Sequence, residues 1–304
     1  VESIDFNVLL MISGTMGIVS MFIESRMPAR LADAIIAHVP NVCWATIALS
    51  LFAGIISAFV DNVATVLMVA PVALAIAKRI GVKPVNMIIA IAVSSNLQGA
   101  ATLVGDTTSI LLGGYAGMNF LDFFVYQGRP SIFFAVELGA IISAGILYVL
   151  FRKENAALPK AEKTEVTDYV PSALLLLMIV LLICASFIPD APDISNGVIC
   201  ITLMIIGGIY ESVRKGSIKG IIDPIKEIDF TTIGLLFGLF LVIGGITEQG
   251  VIDALAGIFT KLAGDDLFVI YSLILWASVL FSAFIDNIPY VATMLPVVQS
   301  IALS

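Results

Sequence analysis

The sequence predicts an all-α, polytopic membrane protein, and three observations support this fold class. Of its 304 residues, 60% are hydrophobic and 12% are charged, whereas soluble domains carry about 25% charged residues. Several apolar runs reach the roughly 20 residues that a helix needs to cross a hydrocarbon core, where open sheets are excluded because backbone groups must be paired internally. Two of the longest apolar blocks also carry the same Asp-Asn motif.

The predicted elements follow the apolar runs in order. Helical spans are expected at 6–23, 86–118, 131–151, 171–188, 195–213 and 230–247. The Asp-Asn motif lies in two further apolar blocks, at 42–77 and 267–304. Amphipathic stretches at 28–39 and 250–263 precede these blocks, and we expect them to lie along the membrane surface.

The motif belongs to an internal repeat. Eight of sixteen residues are identical between 57–72 and 282–297, and Asp5 and Glu24 match Asp229 and Glu248. We therefore predict a first repeat at 1–151, containing a hairpin at 42–77 and a broken helix at 86–118. A linker at 152–170 and a second repeat at 171–304, with its hairpin at 267–304, follow. The second repeat lacks counterparts of several helices, so we expect a fragment of a longer protein that lacks helices at both ends.

The two copies are predicted to have opposite orientations. The chain makes five predicted crossings between the motifs, and thirteen of its fifteen Lys and Arg residues fall on one side, with only Arg129 and Lys261 on the other. This bias marks the first side as cytoplasmic. We expect an integral protein of the cell (inner) membrane, with the linker and the opening of the first hairpin on the cytoplasmic side. Inverted repeats with midplane sites are typical of secondary transporters.

The pair Asp61-Asn62 has two interpretations. It either forms a water-exposed turn between two spans or the tip of a re-entrant hairpin that stops inside the protein. The second is favoured because the turn contains no Gly or Pro and is preceded by Phe59 and Val60. A carboxylate near the bilayer midplane costs roughly 2.5–3.5 kcal/mol on insertion scales, so an acid kept there is a functional hypothesis.

A polar, glycine-containing stretch interrupts the otherwise apolar segment 86–118. It runs from Ser94 to Ser109 and predicts a break, because unwound backbone at membrane depth is tolerated where it lines a cavity or is buried in protein. Alternatively, Gly99 and Gly105 serve close helix packing, which leaves Asp106 unexplained. The candidate ion-binding residues of this stretch are Asn96, Gly99, Thr102, Gly105, Asp106 and Thr107.

The order of these motifs resembles the ion transporter superfamily, most closely its arsenite permease and NhaD sodium/proton antiporter branch, which is related to sodium-coupled dicarboxylate carriers. The resemblance implies an ion site between the hairpin tip and the helix break, with sodium held at Asp61, Asn62, Asn96 and Gly105. A second site would include Asp286 and Asn287, although the sequence lacks the partner broken helix. Relatives of this fold are often dimers, so a homodimer is expected by analogy.

The charges narrow the expected substrate. The acids predicted at membrane depth are Asp61, Asp106, Glu137 and Asp286, and no Lys or Arg accompanies them. We therefore expect a small ion, either sodium or a proton, with Glu137 as a proton relay and no cofactor other than a bound sodium ion. The predicted function is sodium/proton exchange by alternating access, in which a proton and sodium compete for one carboxylate.

Other function classes remain as alternatives. An arsenite or organic-anion permease on the same fold is the main one, and a passive channel is another. An intramembrane aspartyl protease would also need two embedded aspartates, but here the duplicated acids are each followed by Asn. We therefore predict a transporter rather than an enzyme. The expected partner is the lipid bilayer, and the chain has no basic footprint for nucleic acid.

Overall fold

Helices form nearly all of the regular structure in the computed structural model, which describes residues 4–81, 83–158, 164–188, 192–263 and 266–303. A 3-10 turn (Leu121–Phe123) and a short antiparallel pair, β1 (Val125–Tyr126) and β2 (Arg129–Pro130), connect two of the helices. Within the described ranges the helices are α1 (Phe6–Glu24), α2 (Met27–Ile36), α3 (Val42–Ser57), α4 (Asn62–Ile80), α5 (Val85–Gly99), α6 (Thr107–Ala116), α7 (Ile132–Phe151), α8 (Val170–Ala185), α9 (Ser195–Lys215), α10 (Lys219–Lys226), α11 (Phe230–Glu248), α12 (Val251–Ala263), α13 (Leu267–Ser282) and α14 (Asn287–Leu303).

The predicted all-α, polytopic fold is confirmed. Four described helices are long and apolar enough to cross a membrane, namely α1, α7, α9 and α11, and a fifth span results if the bent pair at 251–262 and 267–282 counts as one. The predicted helix at 86–118 is broken as expected, because α5 ends at Gly99 and α6 begins at Thr107. Lys160 and Lys163 of the predicted linker lie outside the described residues.

The two copies have matching helices. Helices α1 and α11 each contain 19 residues, and α3 and α13 each contain 16. Asp5 and Asp229 begin α1 and α11 in the same way, since each carboxylate accepts a hydrogen bond from a backbone N–H of the first turn. Such N-caps satisfy amides that have no partner inside the helix.

The matching helices α1 and α11 run in opposite directions. The Glu24 carboxylate at the end of α1 accepts a hydrogen bond from Lys215 Nζ (2.8 Å) at the end of α9, close in sequence to the start of α11. At the other side, Asp5 at the start of α1 and Glu248 at the end of α11 line one cavity of about 440 Å³. The beginning of α1 and the end of α11 therefore lie on the same side, as an inverted repeat requires.

On the side that carries most of the basic residues, polar contacts join helix ends to neighbouring segments. Arg214 forms an ion pair with Asp168 (2.5 Å), and the Thr167 amide donates to the Ser25 carbonyl. Farther along, the Val42 amide donates to the Ala156 carbonyl. The first two contacts join the ends of α1 and α9 to the segment before α8, and the third joins the start of α3 to the segment after α7. The short helix α10, which was not predicted from the sequence, follows α9 on this side.

Helix α1 packs closely on α9 through glycines. A Cβ on Gly14 would lie within 2.7 Å of Cys200 Cβ and 2.6 Å of the backbone nitrogen of Ile201. Gly17 faces Met204 in the same way. Small residues at such contacts let helix backbones approach each other in membranes, where packing rather than hydrophobic burial drives association.

We expect Gly14→Ala to destabilise the protein, because the added methyl meets the backbone of α9, which cannot move aside as a flexible side chain does. Overpacking of this kind typically costs about 1–3 kcal/mol. The measurement is thermal unfolding of the detergent-solubilised full-length protein. Gly145→Ala in α7 is the control, since a Cβ there meets no described atom within 4 Å. A Gly14→Ala midpoint equal to that of Gly145→Ala would contradict this packing.

Candidate functional site

The tip of the first hairpin, between α3 and α4, is fixed by its own side chains. The Asp61 carboxylate caps α4 by accepting hydrogen bonds from the amides of Val63 (3.0 Å) and Ala64 (3.1 Å). Ser57 Oγ donates to Asn62 Oδ1 (2.6 Å), which closes the turn from the other side. Residues of the duplicated motif therefore supply the hydrogen bonds that shape the tip.

This tip lies against the last two turns of α5. Asn62 Nδ2 donates to Asn96 Oδ1 (3.1 Å). Ser95 Oγ lies 3.0 Å from Ser57 Oγ and 3.2 Å from the Asn62 carbonyl oxygen, and both serine side chains are fully buried. The tip residues Asp61 and Asn62 are half-buried and the next residue, Val63, is exposed. These contacts therefore pack the tip against α5, and the re-entrant hairpin stays a prediction.

The break between α5 and α6 packs on the same tip. Thr102 Oγ1 donates to the Ala58 carbonyl. A Cβ on Gly105 would lie 2.7 Å from the carbonyl oxygen of Ser57, 2.8 Å from that of Ala58, and closer still to that of Gly99. Three carbonyl oxygens therefore converge on Gly105. Ser57 and Gly99 end α3 and α5, so the negative ends of two helix dipoles meet here.

Gly99 makes a second close approach. A Cβ on Gly99 would lie 2.9 Å from Asn62 Cγ and still closer to Asn62 Oδ1. The two interpretations of these glycines are therefore both correct, since the helix breaks at this point and the glycines also allow close packing. Side chains at either position would push the tip away from the break.

Helix α6 begins at Asp106, beside a small cavity. The Asp106 carboxylate accepts hydrogen bonds from the Ser109 amide (2.6 Å) and from Thr108 Oγ1 (2.9 Å). The cavity has a volume of about 20 Å³, enough for one water molecule or a small ion. Its lining residues come from the tip, from the break and from α1: Ile12, Thr15, Met16, Val19, Asp61, Val104, Gly105, Asp106, Thr107 and Ile110.

The chemistry of the lining suits a hard cation. The described lining residues contribute two carboxylates and two threonine hydroxyls but no Lys or Arg. No group of three or more His, Cys, Asp or Glu side chains suited to a metal ion occurs in the part of the chain that the structure describes. The cavity is lined by two acids and two threonines, and the carbonyls that converge on Gly105 lie beside it. Oxygen ligands of these kinds are what broken helices offer to sodium and protons.

The second hairpin tip has the same local hydrogen bonds as the first, but no broken helix packs against it in the described residues. The Asp286 carboxylate accepts a hydrogen bond from the Ile288 amide (2.9 Å), and Ser282 Oγ donates to Asn287 Oδ1 (2.5 Å). However, Asp286 and Asn287 are exposed, and every residue of α13 is exposed or half-buried. The structure does not bring this pair to the first site, so its role stays a prediction.

Tertiary packing decides which other residues lie near the first hairpin tip. Glu137 is half-buried in α7 and does not line the 20 Å³ cavity, so its relay role also stays a prediction. Ser57, Ser95 and Thr15 were not among the site residues predicted from the sequence. Ser57 was recognisable in principle, because the duplicated motif begins with it and the second copy has Ser282 at the same place.

Comparisons with known proteins identify the class to which this arrangement belongs. A family model described as "Citrate transporter" (CitMHS) matches residues 1–304. The chain is 32% identical over 251 residues to "Uncharacterized transporter Rv2685" of Mycobacterium tuberculosis, covering 81% of the chain and 56% of that relative. It is 31% identical over 260 residues to the "46 kDa membrane protein" of Mycobacterium leprae, covering 82% and 57%.

A more distant relative is the mouse "P protein", 29% identical over 174 residues, which are 55% of this chain and 20% of that protein. The chain spans a little over half the length of the mycobacterial relatives. The family model and the Mycobacterium tuberculosis relative are described as transporters rather than enzymes, which is the class that was predicted from the sequence. The chain belongs to the citrate transporter (CitMHS) family.

Proposed function

We propose that the full-length protein exchanges sodium for protons by alternating access, as in the NhaD-type branch that the motifs resemble. The proposed ion site comprises the hairpin tip and the helix break: Asp61, Asn62, Asn96, Gly99, Thr102, Gly105, Asp106 and Thr107. The observation that carries the proposal is the convergence of three backbone carbonyls on Gly105, next to a cavity lined by Asp61 and Asp106.

Capping alone does not account for the two acids. Asp61 and Asp106 each begin a helix, but Asn, Ser and Thr cap helices about as well without introducing a charge. An acid at membrane depth is expensive, so a neutral cap would be the cheaper choice. Two carboxylates around a volume of about 20 Å³ also repel each other when both are charged. A cation or a proton between them relieves this repulsion.

The proposed cycle uses competition at one site. With a proton on the acid pair, the site is closer to neutral and can move without sodium. When sodium enters between the carbonyls and the carboxylates, it displaces the proton to the side that is open. An ion can drive such a change only through a difference in affinity between the two states. The inverted repeat supplies these states, because one copy can rock against the other around the site.

We place the repeats at 1–151 and 171–304, joined by the linker at 152–170 on the cytoplasmic side of the cell membrane. Asp286 and Asn287 would provide the symmetric acceptor. The bacterial origin of the mycobacterial relatives supports a plasma-membrane location. A homodimer remains a prediction from the resemblance.

An organic-anion permease is the second candidate, and the description of the matching family favours it. An anion such as citrate would meet two acids and no described Lys or Arg at this site. Such an anion would need a bound cation to balance its charge. Sodium or another cation would therefore still bind near the three carbonyls that converge on Gly105. Neutral arsenous acid, the third possibility, would use the acids for proton coupling alone.

The test is transport by the full-length protein in proteoliposomes. An imposed pH gradient should drive uptake of radioactive sodium, and a sodium gradient should drive proton movement in the opposite direction, both in the absence of citrate and arsenite. Uptake of labelled citrate or arsenite is measured in parallel. Citrate or arsenite uptake without any sodium-driven proton movement would contradict sodium/proton exchange and support the matching alternative.

A further inference from the structure

A buried polar seam runs along the interface between α3 and α5. On α3 it comprises Thr46, Ser50, Gly54 and Ser57, whose spacing of four, four and three residues places them on one face. On α5 it comprises Ser94, Ser95 and Gln98. Each of the six polar side chains is at most 3% exposed. The seam leads from the first turns of α3 to the Ser57 and Asn62 side chains of the tip.

Two polar groups in the middle of the seam lack partners. Ser50 Oγ and Gln98 Nε2 are buried without a hydrogen-bond partner among the described residues. The Gln98 amide lies against Gly54, where a Cβ would be 2.8 Å from Gln98 Oε1. Ser50 is one helical turn from Gly54, roughly 5–6 Å away. Both groups therefore lie on the same part of the interface, and buried polar groups without a protein partner are typically satisfied by an ordered water molecule.

The second copy shows that the hairpin does not need this polarity. The positions equivalent to Thr46, Ser50 and Gly54 are Tyr271, Leu275 and Val279, and α13 still forms over the same 16 residues. A buried polar group without a partner costs about 1–3 kcal/mol. Keeping two of them in one copy, beside the candidate ion site, therefore indicates a use other than helix formation.

We propose that the α3–α5 seam holds water molecules bridging Ser50 and Gln98 and conducts protons between the tip and the side of the membrane where α3 begins. This inference rests on the proposed function and names its proton route. At the tip, the hydroxyls of Ser57 and Ser95 form the hydrogen bonds that lead to Asn62, and the proposed water molecules would join Gln98 to them. In the other direction, Thr46 lies one turn before Ser50, and its hydroxyl donates to the Val42 carbonyl (2.9 Å).

The experiment separates the rate of proton release from the affinity of the site. Purified full-length protein is mixed rapidly with sodium chloride in weakly buffered solution, and proton release is followed with a pH indicator. Gln98→Met keeps the side-chain length but removes the amide, and Ser50→Ala removes the hydroxyl. Both should slow proton release at least tenfold while leaving the equilibrium sodium affinity and its pH dependence within twofold of wild type.

Ser172→Ala is the matched control, because Ser172 Oγ in α8 is also buried without a described partner but lies outside the seam. It should release protons at the wild-type rate. If both Gln98→Met and Ser50→Ala release protons at the wild-type rate, the seam does not conduct protons, and the proposed exchange function is unaffected. A loss of equilibrium affinity in both would also overturn conduction by the seam, in favour of a structural role. If wild type releases no protons on sodium addition, the exchange function fails and the seam's role with it.

Discussion

Asp61→Asn will reduce pH-dependent sodium exchange at least tenfold in proteoliposomes, the equivalent of about 1.4 kcal/mol or more. Asparagine is as good an N-cap as aspartate, so the hydrogen bonds from the Val63 and Ala64 amides can remain and α4 should stay intact. What disappears is the charge that faces the cavity shared with Asp106. The variant therefore separates capping from ion coupling.

Asp266→Asn provides the control for this substitution. Asp266 is the N-cap of α13 and accepts hydrogen bonds from the Phe268 and Val269 amides, but it is exposed. Its variant should transport at the wild-type rate. Full exchange by Asp61→Asn, with an unchanged response to pH, would remove Asp61 from the mechanism and with it the main role proposed for the hairpin tip.

Gly105→Ala will weaken saturable sodium binding, because its methyl group would occupy the point where the carbonyls of Ser57, Ala58 and Gly99 converge. These atoms belong to two helix ends and cannot rotate away as a side chain can. The tip and the break must separate, and the carbonyls then no longer face one ion. We expect at least a tenfold weaker sodium affinity in a radioligand binding assay on the purified protein.

The matched control is Gly238→Ala in α11, where an added Cβ meets no described atom within 4 Å. Thermal unfolding of both variants shows whether they remain folded. If folded Gly105→Ala binds sodium as wild type does, the carbonyl cluster is only a packing contact, and the ion site must lie elsewhere.

Much of the architecture could be predicted because it depends on local length and composition. The apolar runs predicted the spans, and the duplicated motif predicted the two hairpins. In the structure, the first helices of these hairpins are α3 and α13. The restart of the broken helix was also readable in principle, since Asp is a favoured N-cap residue and Asp106 follows Gly105. Asp106 was predicted as a candidate ligand only, and the structure adds its role as the N-cap of α6.

The site itself depends on how the tip docks, which the sequence does not encode locally. Nothing in the spacing of Ser57, Asn62, Ser95 and Asn96 shows that these side chains meet, because the contacts join residues more than 30 positions apart. The close approach at Gly99 and Gly105 is likewise a tertiary property. The same motif at Asp286 remains exposed, which shows that the motif alone does not create a buried site.

The most direct measurement of the central claim is the equilibrium affinity of the purified full-length protein for sodium as a function of pH. If one proton and one sodium ion compete for the acids at the first hairpin tip, the affinity should fall tenfold for each pH unit below the range in which the site loses its proton. A sodium affinity that is saturable but independent of pH, or no saturable binding at any pH, would contradict the account.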